Sequence, residues 1–181
     1  MSVTDRRRRE ATVTCATVTC ALLALVAHRF ADSPEQPAMC WFAVISVRLA
    51  QIDLASRRLP HVLVGSLGLG GVLLLTWAAL VEDDVGALLR GLAAAAVLFV
   101  GLHSAPARGG VGGGDANLLA AVGLYLGHAG WDQVARGLVT AIGLAGGTSL
   151  ALVLLRRIST RDPIAVGPAI LGGALITLTS D

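Results

Sequence analysis

Apolar segments recur along this chain with so little polar sequence between them that a water-soluble fold is excluded. They cover residues 11–29, 38–53, 61–81, 86–104, 115–130, 134–155 and 163–179. A helix crosses a bilayer with about 20 apolar residues, within a range of roughly 17–25. Every segment falls in that window or at its lower edge. Hydrophobic residues make up 55% of the chain and charged residues 14%, too little polar surface to coat a soluble domain of this size. Lipid offers no partner to backbone N–H and C=O groups, so such segments cross as helices. The expectation is an all-α polytopic membrane bundle of six or seven transmembrane helices. Segments 38–53 and 115–130 are the short ones, suited to a place where water thins the barrier.

Residues 1–10, with Arg6 to Arg9, read as a basic cytoplasmic tail, and 11–181 as one transmembrane unit. No cleavage site stands out after 11–29, so this segment is expected to stay as an anchor. Its repeat, ATVTCATVTC, gives a small-residue surface for close helix packing. Cys15, Cys20 and Cys40 make no CxxC pair and read as small core residues. The four histidines are scattered without ligand spacing, so neither a metal nor an organic cofactor is implied. All basic residues are arginine, a bias of composition rather than a recognition device, and no nucleic-acid partner is expected.

Positive residues near span ends prefer the cytoplasm. With Arg6–Arg9 inside, the count returns Arg57–Arg58, Arg108 and Arg156–Arg157 to the inside, and places Glu82, Asp83 and Asp84 outside. Arg29, Arg90 and Arg136 are exceptions near outer ends. The count puts Asp53, at the end of the second span, and Asp115, at the start of the fifth, on the same inner face. An ionisable group within a span costs about 2.5–3.5 kcal/mol on insertion scales, so its first reading is functional. Asp115 alone has a plainer reading, a cap on its helix N-terminus. Two such residues on one face point to a shared site.

Two carboxylates converging in a low-dielectric site cannot both ionise easily; they titrate as a pair. One can then take a proton from an attacking water while the other polarises a peptide carbonyl, the logic of an aspartic protease. No Ser–His–Asp or Cys–His set competes for that role. Just before Asp115 the chain reads GGVGGG. Gly112, Gly113 and Gly114 clear side chains from an approaching substrate backbone and tolerate a tight loop. Their N–H groups can bond an extended strand. By themselves these glycines would be no more than a flexible connector.

Gly112-Gly113-Gly114-Asp115 matches the G-x-G-D motif of intramembrane aspartyl proteases, and GGGDANLLAAVGLYLG resembles the second catalytic region of type IV prepilin peptidases. IDLASRRLP, from Ile52 to Pro60, resembles that family's first motif, an Asp followed seven positions later by Pro. PIAVGPAILGGAL, from Pro163, is a weaker echo of its late proline–glycine–proline stretch. The resemblance covers about residues 40 to 178. It implies Asp53 and Asp115 as the catalytic pair, with Gly112, Gly113, Gly114, Asn117 and Pro60 on the substrate side. It also implies removal of the short basic leader from prepilins or pseudopilins, at the cytoplasmic face of the bacterial inner membrane. Contact with pilus or secretion machinery would follow.

Nothing resembling the family's CxxC-bearing N-methyltransferase segment precedes the first span. The chain thus looks like the short, peptidase-only form found with tight-adherence pili. It departs from the family pattern at Asn117, where Lys is common, at His61 in place of Asn, and at Val166 in place of an aromatic. Arg48, inside the second span, either pairs with an acidic group of the bundle, the favoured reading, or snorkels toward an interface. Trp41, Trp77 and Trp131 read as interface or packing residues. Competing readings are a G-x-G-D protease with other substrates, a small transporter relaying protons through Asp53 and Asp115, and a non-catalytic assembly subunit.

Overall fold

The computed structural model describes residues 3–56, 59–104, 113–155 and 166–180. Their secondary structure is helical throughout, in seven elements: α1 (Val3–Arg29), α2 (Gln36–Ser56), α3 (His61–Glu82), α4 (Val85–Ser104), α5 (Gly113–Ala129), α6 (Trp131–Leu154) and α7 (Gly167–Thr179). Each corresponds to one apolar segment of the sequence. Helix α1 starts at Val3, so the arginines of the basic tail are already helical. By length and composition α2, α3, α4 and Trp131–Ala151 of α6 can cross a membrane. The chain is an all-α integral membrane bundle.

The short fifth span has a structural reason. Helix α5 packs against α3, α4, α6 and α7, and Ala121 to His128 are buried on every side. A helix enclosed by other helices need not match the bilayer's thickness. Tyr125 anchors it: its hydroxyl donates to Leu67 O at 3.0 Å, and its ring lies 4.7 Å from that of Phe42. Gly71 makes room for that ring, since a Cβ there would lie 2.7 Å from it. The outer faces of α3, α4 and α6 expose Leu73, Leu80, Leu89, Val97, Val139 and Ile142. In a soluble protein that surface would aggregate; here it faces lipid.

Closest approach is between α4 and α5. A Cβ on Gly91 would lie 2.6 Å from the carbonyl oxygen of Leu124, a backbone atom that cannot turn aside. At Gly101 of the same helix a Cβ meets nothing within 4 Å. Gly91→Ala should therefore destabilise by about 1–3 kcal/mol through overpacking. Gly101→Ala should stabilise by roughly 0.5–1 kcal/mol through the glycine entropy it removes. Thermal melting of the detergent-solubilised protein checks both; equal effects would mean that the α4–α5 contact is not tight.

Several smaller expectations change. Cys20 is exposed, so it is not a core residue, whereas Cys40 is half-buried and packs against the core; on a lipid-facing surface a small apolar side chain gains nothing from burial. The side chain of Cys15 lies outside the described residues. Arg48 is exposed and meets no acidic group among the described residues, so the expected pairing inside the bundle is absent. It sits five residues from Asp53, near enough to the helix end to reach the interface. Of the arginines that broke the positive-inside pattern, Arg90 lies 3.8 Å from Asp84 and Arg136 pairs with Asp132. Trp41 packs, donating from Nε1 to Ser66 O at 3.1 Å, while Trp77 and Trp131 are about half-exposed.

Candidate active site

Asp53 occupies the last turn of α2 and is 5% exposed. Its Oδ2 accepts a hydrogen bond, 3.1 Å long, from the backbone N–H of Gly167, the first residue of α7. The first N–H groups of a helix lack partners within it and carry the positive end of its dipole. The carboxylate thus caps a helix 114 residues away in sequence. Gly167 makes the approach possible: a Cβ there would lie 2.6 Å from Oδ2 and 3.2 Å from Cγ of Asp53. Pro168 follows within the first helical turn, where its missing N–H costs nothing. Of the late motif noted in the sequence, Gly167 forms the contact, whereas Pro163 lies outside the described residues.

Asp115 stands in the first turn of α5, half-buried. Two contacts locate it relative to Asp53. A Cβ on Gly114 would lie 3.5 Å from Leu59 Cβ, and a Cβ on Gly167 would lie 3.5 Å from Leu59 Cδ2. Leu59 is therefore wedged between the starts of α5 and α7, beside the Asp53–Gly167 bond. At the opposite end of the bundle, His128 Nδ1 near the end of α5 lies 2.9 Å from Glu35 Oε1, just before α2. Helices α2 and α5 are antiparallel by these two ties, and both aspartates lie at the same end.

Pro60 acts through the backbone. It is the N-cap of α3, with φ −68° and ψ 119°, and its carbonyl accepts from Leu63 N and Val64 N. A residue before proline is disfavoured in the α region, and that restraint falls on Leu59. The tight glycine loop is altered: Gly113 and Gly114 belong to α5 itself, and Gly112 lies outside the described residues. Helix N-terminal N–H groups, rather than loop N–H groups, face this end. Asn117 is half-buried and lines a cavity of 360 Å³ between α3, α4 and α5, together with His61. Two of the three positions that depart from the family pattern, His61 and Asn117, thus share one cavity. Arg57 and Arg58 are outside the described residues.

The sequence profile of the type IV leader peptidase family matches residues 38–178, which include Asp53, Asp115 and Gly167. The chain belongs to this family. The prepilin leader peptidase/N-methyltransferase of Bacillus subtilis (strain 168) is 34% identical over 84 residues, 46% of this chain and 33% of that protein. The match thus spans about a third of that relative's length. No solved structure matches the chain. The residue that sequence reasoning missed within the family pattern is Gly167, which passed as part of a weak echo. Its signal was the glycine directly before a helix-starting proline, the combination that leaves an open N-terminus without a side chain.

Proposed function

We propose that this protein is a membrane-embedded aspartic endopeptidase that removes the basic leader peptide from prepilins or pseudopilins, with Asp53 and Asp115 as its catalytic pair. The carrying observation is a buried carboxylate at a helix N-terminus, at the same end of the bundle as Asp115, within the span of the family match. The arginine pattern favours the cytoplasmic side of the inner membrane for that end.

In this reading Gly167 N–H holds Oδ2 of Asp53 and fixes the plane of the carboxylate. One aspartate removes a proton from water as its oxygen attacks the scissile carbonyl carbon. The other, protonated, hydrogen-bonds the carbonyl oxygen and then gives a proton to the leaving amine. The first-turn N–H groups of α5 receive the substrate's backbone beside the aspartates. The test is co-expression with an epitope-tagged prepilin from the same genome, read by gel shift and N-terminal sequencing. Cleavage at the leader junction by the unaltered chain, and none by Asp53→Asn or Asp115→Asn, supports the proposal. An intact prepilin beside a well-expressed unaltered chain rejects it.

A further inference from the structure

Two of the helices at the candidate site open on glycine: Gly113 and Gly114 begin α5, and Gly167 begins α7. Glycine gives an approaching chain no side chain to meet. A bulky side chain stands between these bare helix starts. Leu59 lies with its Cβ 3.5 Å and its Cδ1 3.8 Å from where a Cβ on Gly114 would be, and with its Cδ2 3.5 Å from where a Cβ on Gly167 would be. These are ordinary contact distances, so the isobutyl group fills the space that side chains at the two starts would reach.

The same contacts tie Leu59 to the reacting groups. The point a Cβ of Gly167 would occupy is 2.6 Å from Asp53 Oδ2, and Gly114 directly precedes Asp115. Leu59 is half-buried and packs against the core, so part of it is open to a bound chain while the rest is held. Pro60 stiffens it further, because a residue before proline has fewer backbone conformations. A wall of this kind can tell side chains apart by size. The bare glycine backbone on either side of it cannot.

From this we infer that Leu59 sets the size of the substrate side chain accepted next to the cut bond. The inference rests on the peptidase reading and names a specificity-determining residue for it. The scissile carbonyl must lie within reach of both aspartates, and successive side chains of an extended backbone point to opposite faces. One of the two residues flanking the bond then meets Leu59 while the other turns away. Small side chains pass beside the isobutyl group, and larger ones need the space it occupies. In a hydrophobic pocket one methylene more or less is worth about 10–200-fold in selectivity.

The experiment uses the full chain in membranes and tagged prepilins that carry Gly, Ala, Val or Leu at each residue flanking the cut bond. Control prepilins carry the same series six positions beyond it, at least about 9 Å away whether that stretch is helical or extended. Two prepilins compete in one reaction, and the ratio of their kcat/KM values is read, which does not depend on how much enzyme is folded. Leu59→Ala should raise acceptance of the larger residue over the smaller about tenfold or more at one flanking position. Leu59→Phe should lower it there, and the control series should not respond to either. Leu59→Val, a smaller step in the same direction, gives the same reading where Leu59→Ala does not fold. Selectivity that stays unchanged, or that changes alike at both flanking positions or at the distant one, overturns the inference. An equal loss or gain on every substrate makes Leu59 a packing residue and overturns it too. Cleavage by the unaltered chain with no shift in the variants removes Leu59 and leaves the peptidase reading standing. No cleavage by the unaltered chain removes both.

Discussion

Replacing either Asp53 or Asp115 by Asn is expected to lower leader cleavage by about 10²–10⁴-fold, the usual worth of positioned proton transfer. Asparagine keeps the shape and can still accept the Gly167 N–H, so the α2–α7 junction should survive the change at position 53. Asp53 is buried, and a neutral amide there avoids the cost of burying a charge, so stability should hold or rise. If the two carboxylates act as one unit, the double variant should lose about as much as either single variant, since effects within a catalytic unit do not add. Purified variants with matched melting curves and a quantitative cleavage assay decide it. Losses that multiply would make the two residues independent contributors, and near-normal cleavage by either single variant would remove it from the mechanism.

Much of the fold was legible because hydropathy carries it. Each of seven apolar runs became one helix, and lipid leaves a run of that kind few alternatives. Placement of the two aspartates at one end was legible too, since an antiparallel count of spans alternates their ends, and the His128–Glu35 and Leu59 contacts follow that count. What the sequence hid is set by long-range packing. The Asp53–Gly167 bond joins residues 114 apart, and no local pattern announces which helix start a carboxylate will cap. His61 and Asn117 looked like two separate departures, yet they line one cavity, so a change at one position is open to compensation at the other. Arg48 and Cys20 misled because the favoured reading of each, pairing and burial, follows the rules of a soluble interior. There a charge wants a partner and a thiol wants burial, whereas at a lipid surface an arginine can extend to the interface and a small apolar group can simply face out.

Gly167→Ala should reduce cleavage by about a hundredfold, the loss that a misplacement near 1 Å can cause, while leaving a folded protein. The added Cβ would lie 2.6 Å from Asp53 Oδ2, closer than real Cβ contacts allow, and a tight 3.2 Å from Cγ. Helix α7 is fixed by Leu171, Ala174 and Leu178 in the core, so the short Asp53 side chain is the element that yields. Its carboxylate then swings off the N–H that oriented it, and the loss falls on kcat more than on KM, because the first turn of α5 is untouched. Alanine's better helix propensity partly offsets the strain, so the melting temperature should move little. Pro168→Ala is the matching control. It changes the same turn without adding a Cβ against Asp53, and its cleavage should stay within a few-fold of the unaltered chain, as expected for a prolyl ring at a position where no N–H is required. Equal losses in both variants would mean that the turn as a whole matters and that the contact between Gly167 and Asp53 has no special role. A selective loss in Gly167→Ala would identify that glycine as the residue that positions the carboxylate, acting through the one N–H it offers and the side chain it lacks.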